Sequence, residues 1–380
     1  MSNRAMSIRV AFVGALMSVA SPAHALDVPG VPAALVRSFD GAFFTDMQHG
    51  YVFGSGGPST VLATDDGGAT WRLVLDLAPL DQQIESIVFL DRSTFWVLDR
   101  SGRLRRTTDG GRTFTMSTPN FVDQLTGKSE SLKCAGGLFF LTATQGWMTC
   151  GQNVLNTKDG GVSWTPRLVP LATGIAQGIW MFDQNEGTTL YGRLLHTKDG
   201  GATWVATPSS PEFGQVNCSA SGACAGWVPP HGPLMISSDR ANTWQDTHIP
   251  LQLGGQDELS SFQMLGPNSL FAFGSDVDTT DSEVERYIGT GVAVPVSPQR
   301  GLFLRWNGSA WSRTTVDDPH EFAGGFFVDA NSGWLVANEF GVYTTTDGAQ
   351  TVHLVPDYFR QIAALTPTEP PLPPDPTPTP

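Results

Sequence analysis

The sequence predicts an all-β chain, a seven-bladed β-propeller with four antiparallel strands per blade, and three observations lead there. A segment of the form Thr-x-Asp-Gly-Gly-x-Thr-Trp recurs along the 380 residues, each time after a run rich in valine and leucine. Its copies are spaced as one four-stranded blade per repeat requires. The composition, with 42 glycines, 27 prolines and only four lysines, suits short strands joined by turns.

The clearest copies are Thr64 to Trp71, Thr107 to Phe114, Thr157 to Trp164 and Thr197 to Trp204. Ser237 to Trp244 loses both glycines, Thr345 to Val352 keeps Thr, Asp, Gly and Thr, and Arg305 to Trp311 is a decayed copy. With Asp66, Asp109, Asp159, Asp199, Asp239, Asn307 and Asp347 as anchors, the steps are 43, 50, 40, 40, 68 and 40 residues. Around each anchor the same pieces recur. In the second repeat Ile87 to Leu90, Thr94 to Leu98 and Arg103 to Thr107 read as three strands, and the turn leads into a fourth at Phe114. The last repeat reads alike, from Phe326 to Leu354. The propeller is expected over residues 35–362.

The turn has a physical rationale. An aspartate at the head of a tight connection accepts hydrogen bonds from nearby backbone N–H groups. The glycines supply positive φ at little steric cost. Thr and Trp on the next strand add β-propensity and a large apolar plate for the seam between blades. Asp66, Asp109, Asp159, Asp199, Asp239 and Asp347 are therefore expected to be structural and not catalytic.

These turns are Asp-boxes. The wider unit, as in Phe139-Phe140-Leu141, Gly146-Trp147-Met148, Thr157 to Gly161 and Trp164, resembles the repeat of the Ycf48/HCF136-like photosystem II assembly factors. The Gly-Trp pairs at Gly146-Trp147, Gly226-Trp227 and Gly333-Trp334 tilt the resemblance towards that family and away from other Asp-box proteins. The resemblance implies a non-enzymatic scaffold outside the cytoplasm that holds a membrane-protein partner during assembly.

Residues 1–25 carry the marks of a signal peptide: Arg4 and Arg9, an apolar stretch from Val10 to Ala20, and Ala23-His24-Ala25 before the cut. Leu26 follows, so no lipid-attachment cysteine is expected there, and export to the periplasm, or to a thylakoid lumen, should release a soluble protein. No later apolar run is long enough to span a membrane. Removing Arg4 and Arg9 leaves 20 basic and 36 acidic residues, a net charge of −16. A nucleic-acid partner is excluded on that balance, because phosphate binding needs a basic surface. Residues 366–380 hold eight prolines and read as an extended, mobile tail.

Four cysteines in an exported chain favour disulfides. Cys218 and Cys224 flank a loop that joins two strands of the fifth blade and should face each other, and Cys134 pairs with Cys150 at the outer ends of the matching hairpin in the third. No Cys-x-x-Cys and no histidine pair at ligand spacing is present, so neither metal nor cofactor is expected.

Two long insertions, Ser117 to Lys133 and Ser275 to Gln299, account for the 50- and 68-residue steps. In a four-stranded blade both emerge on the face opposite the Asp turns, which makes that face the candidate surface for a protein partner of a monomeric propeller. Arg100 and Arg193 lie beside its connections, and the second insertion carries Asp276, Asp278, Asp281, Glu283 and Glu285. That acidic run fails the EF-hand pattern, since Thr280 and Asp281 stand at positions five and six. The competing readings are an Asp-box glycoside hydrolase, sialidase- or glucanase-like, and a glycan-binding propeller using exposed tryptophans. No Arg-Ile-Pro segment, no Gly-x-Ser-x-Gly elbow and only five tyrosines speak against the first. A glucanase-like carboxylate pair stays open.

Overall fold

The computed structural model describes residues 41–355 apart from 55–58, 78–82, 170–176, 208–209, 230–231, 252–256, 278–284, 289–291, 296–298, 317–321 and 338–340. Seven sheets of four antiparallel strands form a β-propeller. Blade 1 holds β1 (Gly41–Phe44), β2 (Gly50–Gly54), β3 (Thr60–Thr64) and β4 (Arg72–Asp76). Blade 2 holds β5 (Ile84–Phe89), β6 (Phe95–Asp99), β7 (Leu104–Thr107) and β8 (Thr115–Ser117), after which β9 (Asn120–Val122) and β10 (Ser129–Ser131) form a separate hairpin. Blade 3 follows with β11 (Ala135–Phe140), β12 (Gly146–Cys150), β13 (Asn153–Thr157) and β14 (Thr165–Leu168). Blade 4 is β15 (Gly178–Met181), β16 (Gly187–Leu190), β17 (Leu194–Thr197) and β18 (Val205–Ala206). Blade 5 is β19 (Gln215–Cys218), β20 (Cys224–Trp227), β21 (Leu234–Ser237) and β22 (Gln245–Asp246).

Blade 6 interrupts the pattern: between β23 (Asp257–Gly266), β24 (Ser269–Val277) and its next strand it inserts the hairpin β25 (Glu285–Ile288) and β26 (Val292–Pro295). The sheet resumes with β27 (Gln299–Trp306) and β28 (Trp311–Val316). Blade 7 is β29 (Phe322–Phe327), β30 (Gly333–Ala337), β31 (Gly341–Thr345) and β32 (His353–Leu354).

Burial follows position in the blade. The second strands β6, β12 and β30 are buried at every residue, because blades pack against both of their faces. The outermost strands are wet, as at β8, β22 and β32. This explains why Phe95-Trp96-Val97-Leu98 reads as a continuous apolar run and not as an alternation. The seams are aromatic. Trp96 stacks on Phe140 with centroids 3.6 Å apart, Phe44 on Trp334 at 4.1 Å, and Phe271 on Phe327 at 4.0 Å. Nearer the axis, side-chain amides tie one inner strand to the next. Gln263 accepts from Phe327 N at 2.7 Å and donates back to its carbonyl at 3.2 Å.

Cys218 and Cys224 are directly opposed in register and form a disulfide. Cys150 is disulfide-bonded and its backbone pairs with Ala135, while the side chain of Cys134 lies outside the described residues. The strand register corrects one reading of the sequence. Gly146 and Gly333 pair with Thr157 and Thr345 at the turn end of their blades, but Gly226 pairs with Met235, two residues further along. Ala225, not Trp227, therefore stands where Trp147 and Trp334 stand. Residues 1–40 and 356–380, with the leader and the proline-rich tail, lie outside the described residues. Among the described residues no helix is long and apolar enough to cross a membrane.

Candidate functional site

The propeller has two faces, and the strand order distributes the sequence features between them. The Asp turns join the third and fourth strands of each blade, on the same side as the connections between first and second strands. Each turn is closed by its own residues. In blade 2, Asp109 Oδ1 accepts from the Thr107 hydroxyl at 2.8 Å and from the N–H of Arg112 and Thr113 at 3.0 and 2.9 Å. Oδ2 accepts from the Thr113 hydroxyl at 2.6 Å. The Thr107 hydroxyl in turn accepts from Gly111 N at 2.9 Å. Asp66, Asp159, Asp199, Asp239 and Asp347 repeat the arrangement. The Thr113 hydroxyl and then its N–H hold Asp109 down at about 2, and Thr351 does the same for Asp347. Burial works against Asp159, yet the Ser163 hydroxyl and N–H still bring it to about 2.

Two turns depart from the glycine pattern without losing the shape. Arg240 and Ala241 take φ of 63° and 66° at the two glycine positions of blade 5, and Ala349 takes 62° in blade 7. In blade 6 the turn is shorter: Asn307 Oδ1 accepts from Ser309 N at 3.0 Å and Ala310 N at 2.9 Å, and Trp306 pairs directly with Trp311.

The turns also lock neighbouring blades. Trp96 Nε1 donates to the Gly160 carbonyl at 2.9 Å and Trp147 Nε1 to Gly200 at 2.8 Å, so each indole reaches the turn of the next blade. Arg106 lies over Trp96 at 5.5 Å and fills the space where a side chain at Gly160 would stand. His196 is buried between Glu186, at 3.7 Å, and the turn of blade 5, and burial pushes its imidazole below the usual value against the pull of Glu186.

The opposite face carries both insertions. The first is a built element. Gln124, at the β9–β10 tip, donates to Pro166 O and accepts from Leu168 N, both at 2.9 Å, so its amide pairs with the free edge of β14 as a peptide group would. Phe121 is buried beneath, while Val122 and Leu125 at the tip are 58% and 62% exposed. The sequence marked the insertion that holds this tip, Ser117 to Lys133, but not Val122 or Leu125 within it. Its signal was two short β-prone runs around Asp123 to Gly127, with Asp123 Oδ1 accepting from Leu125 and Thr126 N at 3.0 and 2.6 Å.

The residues singled out on this face are not drawn into one cluster. Arg100 is exposed and paired with Glu85 at 3.3 Å. Arg193 is exposed and makes no ion pair among the described residues. Asp276 pairs with Arg313 at 3.0 Å inside blade 6. Asp278, Asp281 and Glu283 lie outside the described residues, as does the side chain of Glu285, whose backbone opens β25. Arg105, one residue from Arg106, is buried in an ion pair with Asp99 at 2.6 Å and offers nothing to a partner. Among the described residues no group of three His, Cys, Asp or Glu side chains is placed to hold a metal ion.

No family model matches the chain. Its sequence is 32% identical over 136 residues to the photosystem II assembly lipoprotein Ycf48 of Synechococcus sp. (strain CC9902), covering 35% of this chain and 37% of that protein. Two solved YCF48 structures share its fold. One, from Cyanidioschyzon merolae, gives a TM-score of 0.55 at 15% identity over 84% of this chain and 98% of that one. The other, YCF48 bound to D1 peptide, gives 0.54 at 18% identity over 82% and 94%. The chain is thus similar to Ycf48 in part of its sequence, and it shares the propeller fold with the two solved YCF48 structures. A xyloglucanase of Hypocrea jecorina (strain QM6a) is 28% identical over 164 residues, which is 38% of this chain and 19% of the enzyme. The matched stretches thus span little more than a third of the curated Ycf48 protein and a fifth of the xyloglucanase.

Proposed function

We propose that this chain is a non-enzymatic, exported propeller scaffold whose insertion-bearing face holds a segment of a protein partner, as a photosystem II assembly factor would. The observation that carries this is the β9–β10 hairpin. It is fixed to blade 3 by the Gln124 amide and by Phe121, and it holds Val122 and Leu125 out in solvent. A rigid support beneath an exposed apolar pair suits a docking surface, because little ordering entropy is left to lose on binding. Arg193 supplies an exposed cation on the same face, and Arg100 one already paired with Glu85. The peptide-bound YCF48 structure favours a peptide segment of a membrane protein as the occupant.

Export rests on residues 1–25, and the Cys218–Cys224 disulfide suits an oxidising compartment. A non-enzymatic role is favoured by the turn aspartates, whose oxygens are engaged by their own turns on the face away from the insertions. Glycan binding through exposed tryptophan plates is disfavoured, since Trp71, Trp96, Trp147, Trp164, Trp180, Trp204 and Trp334 are all buried.

The test is a crosslinking pull-down from the exported fraction, comparing the natural chain with Val122→Asp/Leu125→Asp and with a chain lacking 278–298. Partner capture should fall about tenfold or more in at least the first variant, with unchanged thermal unfolding. Equal capture by all three chains, or turnover of a glycoside abolished by changing one carboxylate pair, would sink the reading.

A further inference from the structure

On the turn face the seams between blades are built alike, and the sequence closes them in different ways. At the seam of blades 1 and 2, Asp65 pairs with Arg92 across the gap. Arg72 Nη2 donates to Gly110 O at 3.0 Å, and Arg112 lies alongside, so the space left is about 150 Å³. At the seam of blades 4 and 5, Arg240 reaches Asp183 at 2.9 Å and also Glu186. Between blades 2 and 3, Arg106 fills the gap.

The seam of blades 3 and 4 has lost its plug. Strand register and turn bonding align Lys158 with Asp65, Gln184 with Arg92, Thr165 with Arg72 and Ala202 with Arg112. Two arginines are thus replaced by shorter polar residues and a third by alanine, while the acid that paired with Arg92 becomes a lysine. Asn156 stands where Arg106 stands in blade 2, and it turns back to donate to Gly146 O. The result is an open cleft of about 560 Å³, within the range of small-molecule sites.

From the chemistry of this cleft we infer that it binds a short neutral oligosaccharide. No apolar side chain larger than Ala202 lines it, so a hydrophobic ligand or side chain gains nothing there. Its four charged lining residues are Lys158, Asp159, Arg167 and Asp199, two of each sign and a net charge of zero. An anion meets both carboxylates, and a cation meets the ammonium and the guanidinium. A sugar hydroxyl both donates and accepts, so it suits either sign. Among the described residues the donors are also uncommitted: Lys158 makes no ion pair there, and Arg167 donates to Pro166 O, at 3.2 Å, in its own strand. Gln184 and Asn185 line the same space. The cleft lies on the face away from the insertions, so it is independent of the partner surface proposed above.

The test is an amide chemical-shift titration of the isotope-labelled chain with cellobiose, xylobiose, mannobiose, lactose and maltotriose, at low and high salt. Inorganic phosphate, triglutamate and triarginine serve as charged probes. At least one saccharide should shift the amides around Gln145, Gln184 and Asn185 saturably, with a Kd of about millimolar or tighter that salt leaves unchanged. Ala202→Arg, which rebuilds the plug of the first seam, should weaken that binding about tenfold or more, and so should Gln184→Ala. Partner capture by the insertion face should be untouched in both. No saccharide response in this region overturns the inference. So does tighter binding of a charged probe there, or unchanged affinity in a folded Ala202→Arg variant.

Discussion

At the scale of single residues, the turn aspartate works as a collector of donors. Asp109 accepts four hydrogen bonds from Thr107, Arg112 and Thr113, and the Thr113 hydroxyl is the foremost cause of its depressed pKa of about 2. A carboxyl depressed in the folded state contributes stability above its unfolded pKa of about 3.9 and loses it as pH falls towards 2. Thr113→Val keeps the shape and removes one donor. It should cost about 1 kcal/mol in urea unfolding at neutral pH, and that cost should shrink below about pH 2, where Asp109 is protonated in both chains. An equal cost at both pH values would mean that the loss is one of packing. The turns themselves were legible in the sequence, because consecutive glycines after an aspartate suit a tight connection with positive φ. The conformation of Arg240 and Ala241 was not, since nothing in their chemistry predicts positive φ. There the flanking Ser237, Asp239 and Thr243 bonds hold the turn, and the backbone follows.

At the scale of strands and hairpins, the blade pattern was readable and its register less so. Four pieces per repeat followed from the apolar runs. The inner strands begin earlier than those runs, at Ile84 and Phe322, because inner strands are held by neighbouring blades as much as by their own residues. Gly226-Trp227 misled for a related reason: a glycine followed by tryptophan marks a strand, not a level in it. The first insertion was legible as a loop, but its attachment was not, because it depends on Gln124 meeting the edge of β14 some forty residues later. That attachment also protects an edge that could pair with another chain. Gln124→Ala should release the hairpin without unfolding the blade. Hydrogen exchange at the Leu168 amide should then speed by about fivefold, as expected for losing a bond worth about 1 kcal/mol, while β12 and β13 keep their protection. Unchanged exchange at Leu168 would show that Phe121 and Leu132 hold the hairpin alone.

For the whole molecule the question is how the ring closes. Blade 1 takes all four of its strands from the start of the described chain and blade 7 all four from its end, so among the described residues no strand is exchanged across their seam. Every other seam is also bridged by the chain itself. This one depends on side chains: the Phe44–Trp334 stack, Phe43 against Phe326 at 5.4 Å, and Gly68 pressed on the Trp334 ring. Among the described residues it lacks a bond that others have, for Trp334 Nε1 is buried with no partner there, whereas Trp96 and Trp147 reach the next turn. Trp334 and Trp147 are both fully buried, so truncating either should cost about 3–5 kcal/mol. The consequences should differ. Trp147→Ala leaves blades 3 and 4 joined by the chain, and exchange should rise only around that seam. Trp334→Ala should free the joint that no described strand or connection spans, so that β1, β2, β29 and β30 lose protection together before blades 3 to 5 do. If exchange rises uniformly around the ring in Trp334→Ala, the seams are equivalent and the closure carries no special weakness.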